Sequence, residues 1–218
     1  MPDVEVRRTP CVVSVADHAG WAHIVCVAGP GSVPAVVDRR RARTIDARLP
    51  TMPYHHETLR MAVDEANALI ARVNASVGGC TSRALRDVVA DLAPSYAVVA
   101  LAIREPPFPD MPDSVATVRQ SYQLQCAADG MMYQLAWCRA ARELGLEVHL
   151  CRRGDEAARA AARLEISPDD IEAFVNGAGR PAGPPWAQDQ RRAFAAGIAA
   201  LAAYAPLDRR PFFRSVRL

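Results

Sequence analysis

The stretch that most constrains this chain is Tyr96–Ile103, YAVVALAI, an unbroken apolar run with Pro94 before it and Pro106-Pro107 after it. Its length is that of a strand, and a strand with one wet face would alternate apolar and polar residues. An unbroken run therefore reads as a strand covered on both faces, the central kind found in α/β sheets. The prolines stop the pairing at its end. Arg104 and Glu105 follow at once and place polar chemistry where the strand stops.

Ahead of this run the pattern is different. CVVSVAD, Cys11–Asp17, is a β-branched strand, and His18-Ala19-Gly20 offers a tight turn. WAHIVCVA, Trp21–Ala28, is a second strand, closed by Gly29-Pro30-Gly31-Ser32. Val33–Ile45 begins as a third and turns basic at Arg39, Arg40, Arg41 and Arg43. Three strands with short turns form an antiparallel meander. From Glu57, Leu59, Val63, Ala66, Ile70 and Val73 recur at helical steps, and Gly78-Gly79 is expected to end that helix. A further helix is expected over Ser82–Leu92. The longest helical pattern, Ser114–Gly145, carries Leu124, Ala127, Ala128, Met131, Leu135 and Cys138 on one face. Its Gly130 is expected to mark close packing, and Gly145 is a natural C-cap. LEVHLC, Leu146–Cys151, is a fifth strand. An alanine-rich helix over Asp155–Leu164, a helix capped at Ser167, a loop over Asn176–Pro185 and a last helix to Tyr204 complete the order.

Composition limits the function classes. With 218 residues and 50% hydrophobic, the chain is expected to form one domain over 1–218, with a core at about 11–204 and an arginine-bearing tail at 205–218. No apolar run approaches the roughly 18 residues of a membrane span, and no secretory signal pattern is present, so a cytoplasmic protein without membrane partners is expected. All 26 basic residues are arginine, which excludes lysine Schiff-base chemistry and a P-loop lysine. The net charge of +2 means that any nucleic-acid surface must be local. The six cysteines show no C-x-x-C spacing and read as reduced, mostly buried thiols.

The element order, together with VVSVADHAGWAHIV, YAVVALAIRE, QCAADGMMYQLAWCRAARELGLEVHLC and DQRRAFAAGIAAL, resembles the ribonuclease H-like superfamily. Within it the chain is similar to the RuvC-type branch, which includes Holliday-junction resolvases. The resemblance covers roughly Val12–Tyr204. It implies an α/β fold, a five-stranded mixed sheet in order 3-2-1-4-5 with helices on both faces. It also implies a metal-dependent nuclease acting on structured nucleic acid, and a homodimer. The family's acidic residues on the first strand, at the fourth strand's end and on the last helix match Asp17, Glu105 and Asp189. In that reading they are both the catalytic residues and the ligands of Mg²⁺ or Mn²⁺, whose hardness suits carboxylate oxygen. Two positions depart from the pattern. Trp186 stands where a second helix acid falls, and no glycine precedes Asp17. The alternative is a catalytically inactive module that binds a protein or nucleic-acid partner.

Each residue also has a plainer reading. Asp17 suits a hairpin, Glu105 a strand end meeting solvent, and Asp189 the positive end of a helix. His18 suits an exposed turn. His55-His56-Glu57 suits a helix start better than a metal cluster, since adjacent helical side chains diverge. Arg39, Arg40, Arg41, Arg43 and Arg104 are the candidate phosphate contacts, and a solvated strand face is their plain alternative. For the dimer, Met131, Met132, Tyr133, Leu135 and Trp137 offer more apolar bulk than one helix face needs.

Overall fold

The computed structural model describes residues 8–107 and 111–213. Its centre is a five-stranded sheet in order β3-β2-β1-β4-β5, built from β1 (Thr9–His18), β2 (Trp21–Ala28), β3 (Ala35–Arg43), β4 (Tyr96–Arg104) and β5 (Glu147–Cys151). β1 pairs antiparallel with β2, and β2 with β3, which is the meander. β4 runs parallel to both β1 and β5. The apolar run of β4 thus lies between two parallel neighbours, and Ala100–Ile103 are buried. The turn into β2 needs Gly20, whose φ is +85 and whose position leaves no room for a Cβ beside Thr51.

Eight helices among the described residues cover the sheet: α1 (Val63–Leu92), α2 (Val115–Val118), α3 (Tyr122–Glu143), α4 (Glu156–Leu164), α5 (Pro168–Gly177), α6 (Gly179–Ala182), α7 (Gln188–Leu201) and α8 (Arg210–Phe213). None is long and apolar enough to cross a membrane. One face of the sheet packs on α1 and α3, with Leu85, Val88, Trp137 and Ala141 against Val13, Val15, Ile24, Leu101 and Ile103. The other face packs on α7, with Ala193, Phe194, Ala196 and Ile198 against Val12, Val25, Val27, Ala100 and Ala102.

Four helical expectations change. Gly78-Gly79 do not break α1, because Val73, Val77, Thr81, Leu85, Val88 and Leu92 form one buried stripe across them. That burial outweighs the roughly 1 kcal/mol each glycine costs relative to alanine. The long pattern at Ser114–Gly145 splits into α2 and α3, because Ser121 turns extended and caps α3 by accepting from the Leu124 amide. Gly130 is not a close-packing point, since a Cβ there would meet nothing within 4 Å. A glycine that does pack tightly against the sheet is Gly197 of α7, where a Cβ would lie 2.4 Å from Val27 Cγ2 and 2.5 Å from Ser14 Oγ. The loop expected over Asn176–Pro185 is also partly helical, since α5 runs on to Gly177 and α6 takes Gly179–Ala182. Other local signals hold. Gly145 follows α3 with φ +71, and Ser167 caps α5 with Pro168 in its first turn.

Candidate functional site at the strand ends

The carboxyl ends of β1, β4 and β5 open on a cavity of about 270 Å³ beside the first turns of α7. Such strand ends are where open α/β sheets place their ligands. Asp17, His18, Arg104, Arg153, Glu156, Asp189 and Arg192 bring charge to its wall. Position along each strand explains the set. Pairing of Val15 with Ile103 brings the ends of β1 and β4 level, so Asp17-His18 and Arg104-Glu105 emerge side by side.

The structure brings Asp17 and Asp189 to the same cavity, together with Glu156, but it does not gather the three expected carboxylates, because Glu105 is not on this wall. The Asp17 side chain is only 5% exposed and has the Arg104 guanidinium 3.4 Å away. Gln134 of α3 completes this group. With its amide oxygen toward Arg104 it accepts from Nε and Nη2, both at 2.8 Å, and it is itself buried. Burial pushes the Asp17 carboxyl up, against the opposing pull of Arg104 and a hydrogen bond from Gln134. Asp189 faces His18, with Nε2 to Oδ2 at 3.2 Å. Glu156 accepts from the Gly154 amide at 3.0 Å and so closes the turn that leads into α4. Glu105 lies elsewhere. It is exposed and lines a second cavity with Gln123, Cys126 and Gln134 of α3. Among the described residues no group of three His, Cys, Asp or Glu side chains is placed to hold a metal ion. The donor set is a carboxylate with a guanidinium against it and a carboxylate with an imidazole against it. Neither fits the oxygen-rich cluster that Mg²⁺ or Mn²⁺ requires.

Arg39–Arg41 and Arg43 lie within β3, at the edge of the sheet, and pair with β2. Arg40 is held by Asp38 at 2.7 Å and Asp91 at 2.8 Å. Arg39 donates to the carbonyls of Gly183 and Pro185, at 3.1 and 2.5 Å. Arg41 lies over the Trp21 ring at 4.1 Å, and Trp21 stacks on His18 at 3.9 Å. The sequence separates these groups, yet the α7 face of the sheet joins them in a row: Asp189, His18, Trp21, Arg41.

His55 and His56 stack on each other at 4.2 Å and are not metal ligands in this arrangement. The backbone amides of Tyr54 and His55 instead donate to Asp129 of α3, both at 3.0 Å. Asp129 is buried, and burial pushes its carboxyl up to about 6. Trp186, three residues before Asp189, donates to the Val175 carbonyl and packs against Gly179. Of the apolar bulk that pointed to a dimer, Met131, Met132, Tyr133 and Trp137 are buried inside the chain, and Leu135 is 46% exposed. Burial pushes the Cys11 thiol up to about 12, and it raises those of Cys26, Cys138 and Cys151 as well. Gln134, Glu156, Asp129, Arg153 and Arg192 escaped the sequence reading. Asp129 and Gln134 carried a signal, a polar residue inside an apolar helical stretch. The others sit on ordinary charged helix starts and turns.

No family profile matches this chain, and no curated protein matches it. Solved structures do. RuvC of Thermus thermophilus superposes with a TM-score of 0.50 at 13% identity, over 88% of this chain and 95% of that one. T. thermophilus RuvC in complex with a Holliday junction substrate gives a TM-score of 0.50 at 14% identity, over 88% and 94%. With the observed strand order, this establishes a ribonuclease H-like α/β fold of the RuvC kind.

Proposed function

We propose that this chain is a RuvC-like protein that binds structured nucleic acid along the carboxyl ends of β1, β4 and β5. The observation that carries the reading is the cavity itself. It sits at the ligand-binding edge of the sheet and presents Arg104, Arg153, Arg192 and His18. Arginine forks match phosphate oxygens bidentately. The solved RuvC that shares this fold was captured with a Holliday junction substrate, which supports a branched duplex as the first ligand to try. Arg41 and Arg43, the more exposed arginines of β3, extend the cationic surface sideways. Arg39 and Arg40 hold β3 to its neighbours and contribute less to a ligand.

Metal-dependent cleavage of phosphodiester bonds by Asp17, Glu105 and Asp189 is the second reading, and likeness of fold supports it. The inactive binding module is the form in which Arg104 and His18 leave no place for two ions. Binding and cleavage separate in one experiment, in which branched and linear DNA and RNA are titrated with and without Mg²⁺ or Mn²⁺. Retarded complexes in chelator with no product in metal support a binding module. Cleavage that vanishes in Asp17→Asn and Glu105→Gln supports the nuclease. Absence of any complex removes nucleic acid as the partner and leaves a protein partner. Arg41→Ala/Arg43→Ala is expected to weaken binding, with the log–log salt slope flattened by about 0.7–0.9 for each phosphate that is no longer neutralised. A cytoplasmic homodimer belongs to the same proposal, and light scattering at micromolar concentration tests its assembly.

A further inference from the structure

Asp189 determines which face of the sheet an ion shared with strand carboxylates would have to occupy, because α7 packs on one face alone. Successive side chains of a strand point to opposite faces. On β1 the residues toward α7 are Val12 and Ala16, and the next in phase is His18. On β4 they are Ala100 and Ala102, and the next in phase is Arg104. Val13, Val15, Leu101 and Ile103 point to α1 and α3, and Asp17 and Glu105 continue that series. The partners of the shorter side chains agree with the alternation, while the long Arg104 side chain bends back from its α7-facing position to Asp17 and Gln134 of α3. His18 meets Asp189, whereas Asp17 is buried against Gln134 of α3, and Glu105 shares a cavity with α3. Both strand carboxylates are therefore one residue out of phase with the helix carboxylate. The in-phase positions hold an imidazole and a guanidinium.

We infer that this site carries its own cation: Arg104, clamped by Gln134 and flanked by His18, occupies the place of a divalent metal, so that a phosphate oxygen meets a guanidinium there. The buried fork supports this, because both donors that meet Gln134 are fixed before any ligand arrives. Arg153 and Arg192 stand on the same cavity wall and supply further donors. The identity of the ligand rests on the nucleic-acid reading above, but the replacement of the metal does not.

The test is a Mn²⁺ titration of the full chain followed by electron paramagnetic resonance, with no nucleic acid present. The parent is expected to show no saturable Mn²⁺ site. Asp17→Asn/His18→Asp/Arg104→Glu places two carboxylates in phase with Asp189 and leaves no buried carboxylate without its guanidinium. It is expected to gain one saturable site, tighter than any binding by the parent by about tenfold or more, and to lose it when Asp189→Asn is added. Circular dichroism verifies that each variant is folded. His18→Asp alone, with Arg104 kept, is a milder change and is expected to gain no site, because the guanidinium repels the ion. A saturable site in the parent that Asp17→Asn or Glu105→Gln abolishes overturns the inference. So does a folded triple variant that binds no Mn²⁺. A parent that binds neither Mn²⁺ nor nucleic acid sinks the nucleic-acid reading and leaves the replacement of the metal standing.

Discussion

The two faces of the sheet are covered by different means. On one, α7 brings Ala193, Ala196, Gly197 and Ala200, and Gly197 leaves no room for even a methyl group against Val27 and Ser14. On the other, α3 brings Trp137 and Cys138, with Leu85 and Val88 of α1 beside them. Small residues let a helix backbone approach the strands, and large ones hold it off. The consequence appears at the strand ends. The short Asp189 side chain of α7 reaches His18 at 3.2 Å, whereas α3 needs the longer Gln134 to reach Arg104. The face with the closer helix carries the pair of Asp189 and His18, and the face with the bulkier one supplies the Gln134 that holds Arg104 beside Asp17.

Substitutions on the bulky face are expected to have the largest effects. Trp137 is fully buried, so Trp137→Ala is expected to cost about 3–5 kcal/mol in urea unfolding. A loss below about 1 kcal/mol would mean that the helix collapses onto the sheet and that bulk does not set its distance.

The second expected effect is pH-dependent and belongs to Asp129 on the same helix. Its carboxyl is raised from 3.8 to about 6, so the folded state holds a proton that the unfolded chain releases between those values. The contribution is fully present below the lower value and is lost as pH rises through the upper one. Stability is therefore expected to fall by about 3 kcal/mol between pH 4 and 6 and to level off above. Asp129→Asn is expected to remove that slope, as read by urea midpoints across the range. An identical slope in parent and variant would assign it to other groups.

On the close-packed face, Gly197→Ala sets two effects against each other. Alanine gains about 1 kcal/mol in helix propensity, while forcing a methyl into a filled space costs about 1–3 kcal/mol. The approach of 2.4 Å favours the second, so net destabilisation is expected. Stabilisation instead would show that α7 can ride outward without loss. The smallest effect is its counterpart, Gly130→Ala on α3. With nothing within 4 Å, it is expected to stabilise by about 0.5–1 kcal/mol. The two glycine substitutions thus have opposite expected signs.

Much of the fold was legible in the sequence by itself, and the reason is that its signals are local. The apolar run at Tyr96–Ile103, closed by prolines, defines a doubly covered strand wherever it is placed. The turns at His18-Ala19-Gly20 and Gly29-Pro30-Gly31-Ser32 are too short for anything but antiparallel neighbours. Ser167-Pro168 caps a helix by its own hydroxyl and fixed φ. Other decisions depend on partners distant in the chain. Gly78-Gly79 look like a helix end until the buried stripe of α1 finds α3 and the sheet. Gly130 and Gly197 look alike, and only the distance to a neighbouring strand tells them apart. The alternation of β1 shows that Asp17 and His18 face opposite ways. Which of the two meets the last helix depends on the face that α7 covers, and long-range packing decides that. The strand ends were therefore readable as a polar site from the sequence, whereas the phase of its carboxylates and the pairing of Arg104 with Asp17 and Gln134 were decided only by the tertiary structure.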